Sequence, residues 1–531
     1  MSDQPIHDVA IVGYGPVGVT AANLLGQLGL KVVVVERDPN IYVRARAIST
    51  DEEVVRIWQQ VGLADRLNAD MQPGNGANFV DADGVPFVRL LPVSRGNGHP
   101  PQQFIYQPAL EKVLREGVDR FPNVTVLLEH ECLRVVQRDD HVELMLADLR
   151  ADEFRRIWAS YVIAADGGSS FIRGQLGIGF SGRTYGERWI VIDTKVLKEW
   201  PGHDRLRFHC NPERPTVDCP TPLGHHRWEF PVRDEEDEKD LLSEEAIWKV
   251  LRGQGISPDN VKILGFACYS HHVRFADRWR VGRVFLAGDA AHAMPPWIGQ
   301  GMCAGVRDVA NLCWKLAAVL NGSLPESVLD TYQAERMPHV KEVTNRAVKT
   351  GKLIIQRDPR RAAVRNHFFR TASKVPGFTS WLRQHRWLPD ARYQKGLLAH
   401  NGNGAVGWLI QQPWVVEEKG DAVRLDDVIG GRWTVLHLGP APDLREWREA
   451  GVPVLKILVP GAVPSADSVV DADGILTRWL DKRGASVVVV RPDGFVYAAA
   501  KEDQRLPGPP AGFIERRPAA PGNAALAIAT V

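Results

Sequence analysis

Within "DVAIVGYGPVGVTAANLLGQLGLKVVVVER", residues 8 to 37, Gly13, Gly15 and Gly18 stand at G-x-G-x-x-G spacing. The first glycine permits a tight turn, the second lets bare backbone approach a pyrophosphate, and the third lets a helix pack closely on a strand. Glu36 ends the β-branched run that follows, with Arg37 beside it. A carboxylate there accepts hydrogen bonds from ribose hydroxyls and repels a 2′-phosphate, so the ligand is FAD or NAD rather than NADP. The turn alone does not choose between those two.

Two further carboxylates follow apolar runs. "YVIAADGGSSFIR", residues 161 to 173, delivers Asp166 and Gly167 with Arg173 beyond them, and "VFLAGDAAHAMPPWIGQGM", residues 284 to 302, delivers Asp289. An acidic residue at the carboxyl end of a buried strand lies in the crevice where open α/β sheets hold ligands.

These side chains need a scaffold. Residues 8 to 37 read as a βαβ unit, and "MCAGVRDVANLCWKLAAVL" as a helix whose N-terminus offers free N–H groups. Pro295 and Pro296 have fixed φ and no N–H, so they form a stiff bend that aims the N–H groups around Gly299, Gln300, Gly301 and Met302 at a ring edge. His292 is read as orienting this loop. The segments "RWIVIDTKV", "RLRFHC" and "HHRWEFPV" alternate like strands of an antiparallel sheet, and "RDEEDEKD" reads as a solvated turn. Residues 327 to 355 read as helical, and near residue 400 "AHNGNGAVG" marks a boundary before a β-rich region. The tail after Arg505 is rich in Pro, Gly and Ala.

Composition narrows the function classes. The 531 residues suggest about three domains. A formal net charge of +1, from 65 basic and 64 acidic residues, gives no field favouring nucleic acid or an anionic membrane. Six cysteines without C-x-x-C spacing argue against zinc or a disulfide framework, and no metal site is expected. The N-terminus lacks a signal pattern and no run of 18 apolar residues occurs, so the chain reads as cytoplasmic.

The glycine turn, the Asp-Gly segment and "GDAAH", in that order, resemble the flavoprotein aromatic hydroxylases, the single-component FAD monooxygenases of phenol breakdown. The resemblance covers roughly residues 8 to 350, and "CYSHHVRFADRWRVGRVFLAGDAAH" looks most like the 3-(3-hydroxyphenyl)propionate hydroxylases. It implies FAD on Gly13, Gly15, Gly18, Asp166 and Asp289, with Arg46 of "RARAIS" and Gln107 of "YQPALE" as further contacts. NADH or NADPH would reduce the flavin, and O2 would be captured as a C4a-hydroperoxide that hydroxylates a phenolic substrate. It also admits a homodimer.

The implied fold is α/β: a Rossmann-like FAD-binding domain, an inserted antiparallel-sheet substrate domain and a C-terminal thioredoxin-like domain. Its expected limits are 1–180 with an excursion near 74–104, 181–275 for the substrate sheet, 276–350, a helical connection over 351–400, and 401–531. The C-terminal part holds no cysteine, the last being Cys313, which excludes thiol redox chemistry there.

Activating a phenol calls for a nearby acceptor or cation. Tyr269, His225 and Asp51 are the candidate catalytic residues, and Arg188, Arg227, His271 and Pro295 the candidate substrate contacts. For each side chain among these, a core hydrogen bond or a surface position is the ordinary alternative. Two other functions compete with phenol catabolism: a tailoring hydroxylase of a natural-product phenol or polyketide, and a flavin-fold protein that binds a partner without oxidation.

Overall fold

The computed structural model describes residues 6–42, 47–378, 389–440 and 443–516. The chain begins with β1 (His7–Val12), α1 (Pro16–Gln27) and β2 (Val32–Glu36). Val9, Ile11 and Val32 to Val35 are buried, each such side chain contributing about 1.5–3 kcal/mol by leaving water. Pro16 opens α1, where a missing N–H costs nothing. Then come α2 (Glu52–Gln60), α3 (Gln107–Val118), β3 (Val124–Leu128) and β4 (Glu153–Ala164).

The chain next enters a second sheet through β5 (Phe180–Val196), β6 (Leu206–His209), β7 (Thr216–Thr221) and β8 (His225–Pro231). After α4 (Glu244–Gly253), β9 (Val261–Ala276) completes it. Its order is His292–Ala293, β9, β5, β8, β7, β6, Ala77–Val80, Pro86–Leu90. One face carries Ile190, Trp228 and Phe230 against Ile247 and Leu251 of α4. Phe104, Phe208, Val217 and Trp297 form a separate apolar cluster with this sheet. Both sides of the sheet are therefore covered.

β10 (Val284–Leu286) returns to the first sheet, in which β10, β4, β1, β2 and β3 lie parallel in that order, with Arg280–Val281 antiparallel at the β10 edge. The hairpin His130–Gln137 and Val142–Asp148 adds to β4. α5 (Gly301–Leu320) and α6 (Thr331–Ile354) follow. No helix of the described residues is long and apolar enough to cross a membrane.

A third, seven-stranded sheet is built around β11 (Thr434–Leu438), β12 (Val454–Leu458), β13 (Ser468–Asp471), β14 (Val487–Val490) and β15 (Val496–Ala500). Trp433, Trp447 and Val487 share one apolar cluster with β1 and α5. Arg56 of α2 reaches across to Asp426 with two hydrogen bonds of 2.6 and 2.7 Å. The C-terminal sheet is thus packed onto the parallel-sheet body.

Candidate functional site

The glycine turn is dictated by close approach. Gly13 has φ +101°, and a Cβ there would lie 2.4 Å from the Ala165 carbonyl oxygen; a Cβ on Gly18 would lie 1.9 Å from that of Gly13. Gly15 is different, because a Cβ there meets nothing within 4 Å. Its open side faces the cavity described below, at the N-terminus of α1. The Glu36 carboxylate accepts from Tyr14 N–H at 2.7 Å and Asp38 N–H at 2.9 Å, and it still lines the cavity. Arg37 lines it too. The sequence reading missed Arg115 of α3, which lines the same end, donates to the Tyr14 carbonyl at 3.2 Å and keeps its buried Nε without a partner among the described residues.

The two strand-end carboxylates converge on this turn. Asp166 accepts from Ile172 N–H at 3.1 Å through Oδ2, while Oδ1 is buried without a partner among the described residues. Burial raises its pKa. Arg173 clamps the two loops together, donating to the carbonyls of Gly168 at 2.8 Å and Ala290 at 3.0 Å. Asp289 lines the cavity from a short 3-10 turn. His292 donates from Nε2 to Asp308 at 2.7 Å, and the same carboxylate takes Gly288 N–H at 3.1 Å and Arg336 Nε at 3.0 Å. These buried contacts fix the "GDAAH" loop.

After Pro295, a second 3-10 turn (Pro296–Ile298) ends on Gly299 at φ +64°, and α5 begins at Gly301. Gly299, Gly301 and Met302 line the cavity. Gln107 lines it as well, with its Oε1 accepting from Ala47 N–H at 2.7 Å and its Nε2 donating to Glu111 at 2.8 Å. Arg46 lies outside the described residues.

Gly13, Gly15, Glu36, Gln107, Arg115, Asp166, Asp289 and the Gly299–Met302 turn line one cavity of about 1090 Å³. Its apolar part is walled by Phe104, Leu206, Phe208, Val217 and Trp297, with one carboxylate, Glu229, among them. The lining suits a flavin dinucleotide: Gly15 with its open side, the Asp166 carboxyl and the Arg115 guanidinium belong to residues around one space.

The substrate and catalytic candidates fall differently. Asp51 lines the cavity but caps α2, accepting from Glu53 and Val54 N–H at 3.1 Å each, and pairs with Arg307 at 2.6 Å. Against the opposing effect of burial, Arg307 and these bonds hold its carboxyl below the usual range, which makes it a poor base. Arg227 is buried in a two-pronged pair with Asp193, at 2.7 and 3.0 Å, and is 3.9 Å from Glu229. His225 stacks on Tyr106 at 3.9 Å, and His271 packs on Trp297 at 5.1 Å between ring centroids. Burial pushes His271 down to about 4, so it is neutral. Arg188 is half-exposed and paired with Glu238. Tyr269 sits opposite Trp189 in the β5–β9 register. Arg188, His225, Arg227, Tyr269, His271 and Pro295 are not among the residues lining the cavity. The reason is registry: His225, Arg227 and Glu229 alternate onto one side of β8, and Glu229 is the member that reaches the cavity.

A parallel sheet with a glycine turn and two aspartates around one cavity defines a dinucleotide-binding fold. The family model described as FAD binding domain matches residues 7–347, and one described as HcaD C-terminal domain matches residues 407–508. The chain belongs to the FAD binding domain family. It is 35% identical over 511 residues to the 3-(3-hydroxy-phenyl)propionate/3-hydroxycinnamic acid hydroxylase of Escherichia coli (strain K12), covering 93% of this chain and 91% of that one. It is 36% identical to the protein of the same name from Burkholderia cenocepacia (strain HI2424), covering 92% and 93%. Among solved structures, the anhydrotetracycline hydroxylase from Streptomyces rimosus matches with TM-score 0.75 and 25% identity over 94% of this chain and 96% of that one. The flavin-dependent monooxygenase PieE shares the fold, with TM-score 0.80 at 24% identity over 94% and 97%. The protein is an FAD-dependent aromatic monooxygenase that uses NAD(P)H and O2.

Proposed function

We propose that the enzyme hydroxylates a phenol carrying a short carboxylic side chain, of the 3-(3-hydroxyphenyl)propionate or 3-hydroxycinnamate type. The single observation that carries this substrate class is the 35% identity to hydroxylases of that name along nearly the whole chain. FAD, when bound, supplies hydride uptake from NAD(P)H and the activation of O2.

The chain's own residues bind and orient. Gly13, Gly15 and Gly18 leave room for the pyrophosphate at the α1 N-terminus. Glu36 would hold the ribose hydroxyls, with Arg37 and Gln107 adding contacts along the dinucleotide. Asp166 and Asp289 would accept from its other hydroxyls. N–H groups at Gly299, Gly301 and Met302 would hold its ring. Phe208, Val217 and Trp297 exclude water from the face where the phenol lies.

The domain reading follows from the same frame, with a substrate sheet over 181–275 inserted into the FAD-binding part. The C-terminal unit reads as thioredoxin-like. Its support is the strand order β12, β11, β14, β15, in which the first two are parallel and the rest antiparallel.

Product identification tests the proposal. Purified yellow protein given NADH, O2 and 3-(3-hydroxyphenyl)propionate should form the ortho-dihydroxylated acid in step with NADH consumed. Turnover confined to a polycyclic natural-product phenol would replace this substrate class with the tailoring one.

A further inference from the structure

Glu229 is a buried carboxylate in an otherwise apolar wall, 9% exposed, with no hydrogen bond to it among the described residues. Its strand places it there. β8 sends Trp228 and Phe230 to the α4 side, so Glu229 emerges on the other, opposite Val191 of β5 and Val217 of β7. Among the described residues its charged neighbours are few. Arg227, two residues back on the same face, is 3.9 Å away and held by Asp193 of β5. Cys219 of β7 is a fully buried thiol pushed well above its usual range by burial, hence neutral. A carboxylate so placed faces the cavity with its acceptor capacity unspent.

Resting on the reading of the cavity as the phenol site, we propose that Glu229 is the catalytic residue that binds the ring hydroxyl of the substrate and takes its proton. The phenolic O–H bond breaks, an O–H bond forms on a Glu229 carboxylate oxygen, and the electron pair remains on the phenolate oxygen, where it enriches the ring carbons that receive oxygen. The new carboxylic O–H then donates back to the phenolate. No electron leaves or enters in this step. Burial raises the Glu229 pKa, which brings it closer to that of a phenol and suits the exchange.

The test uses FAD-loaded wild type, Glu229→Gln and Glu229→Asp, with flavin content measured first. Substrate bound to oxidised wild type below the phenol's solution pKa should show the ultraviolet band of a phenolate, and Glu229→Gln should show the neutral phenol. Hydroxylation by Glu229→Gln should fall about 10²-fold or more and lose the acid limb of its kcat/KM profile, with Glu229→Asp keeping an acid limb displaced from that of wild type. A more acidic phenol, already ionised in solution, should restore much of the rate to Glu229→Gln. A Glu229→Gln variant that still shows the phenolate band and an unchanged pH profile overturns the role of Glu229 while leaving the proposed function standing. Wild type that binds flavin but hydroxylates no hydroxyphenyl acid overturns both. Should Glu229→Gln load no flavin, Glu229→Asp decides: an acid limb displaced from wild type supports the role, and an unchanged one removes it.

Discussion

Arg491 and Glu335 form a two-pronged ion pair, Nη1 to Oε1 and Nη2 to Oε2 at 2.9 Å each, with neither side chain exposed. Lys315 of α5 joins at 2.7 Å and Asp493 closes the Arg491 side at 2.5 Å. The C-terminal sheet is therefore tied to α5 and α6, the helices that follow the "GDAAH" loop.

Removing Arg491 leaves the buried carboxylates of Glu335 and Asp493 without the guanidinium they share, Glu335 keeping Lys315 at 2.7 Å, Asn311 at 2.6 Å and the Leu397 N–H at 2.8 Å. Arg491→Met should lower stability by about 3–5 kcal/mol, read by urea or thermal unfolding. An effect below about 1 kcal/mol would show that the pair contributes little to docking.

Acid should expose the same network. Despite burial, Arg491 and Lys315 hold the Glu335 carboxyl from 4.5 down to about 2. Its folded pKa lies below the unfolded one, so its contribution is present above the unfolded value and lost as pH falls through about 2. Glu335→Gln should flatten unfolding stability across that window.

The glycine turn separates fold from cofactor. Gly18→Ala places a Cβ on the Gly13 carbonyl and should destabilise the apoprotein. Gly15→Val enters only the open side of the cavity. It should keep the apoprotein stable to within about 0.5 kcal/mol while abolishing flavin loading, checked by thermal melts and absorbance.

Asp289 faces the cavity, and its role as a hydroxyl acceptor predicts a weaker grip on FAD in Asp289→Ala. Hydrogen bonds to charged groups contribute about 1.5–3 kcal/mol, so Kd should rise roughly 10- to 100-fold in a flavin fluorescence titration. An unchanged Kd would remove Asp289 from the cofactor contacts.

Glu229 has a stability signature independent of turnover. Its folded pKa is raised, so its favourable contribution is complete below the unfolded value of 4.5 and lost as pH rises through the folded one. Glu229→Gln, neutral throughout, should gain stability over wild type as pH rises towards neutral, read by thermal or urea unfolding at several pH values.

The residues of the proposed cofactor cradle were legible because each piece is local: Gly13, Asp166 and Asp289 follow the ends of buried strands and line one cavity. The antiparallel sheet was legible from alternation in "RWIVIDTKV" and "HHRWEFPV". What sequence could not give was which member of an alternating face reaches the cavity. His225 and Arg227 share the Glu229 side of β8, yet Tyr106 covers one and Asp193 holds the other. Those partners lie far along the chain, set by sheet register. Asp51 carried a local signal, an acidic residue before "EEVV", that reads as a helix cap as readily as a base.

The central claim is that this cavity brings FAD and a phenol together for oxygen transfer. Turnover of the flavin-loaded enzyme with NADH, 3-(3-hydroxyphenyl)propionate and isotopically labelled O2, followed by mass spectrometry, tests it most directly. The account predicts one labelled oxygen atom on the ring per NADH consumed. Unlabelled aromatic acid recovered beside labelled peroxide would contradict it.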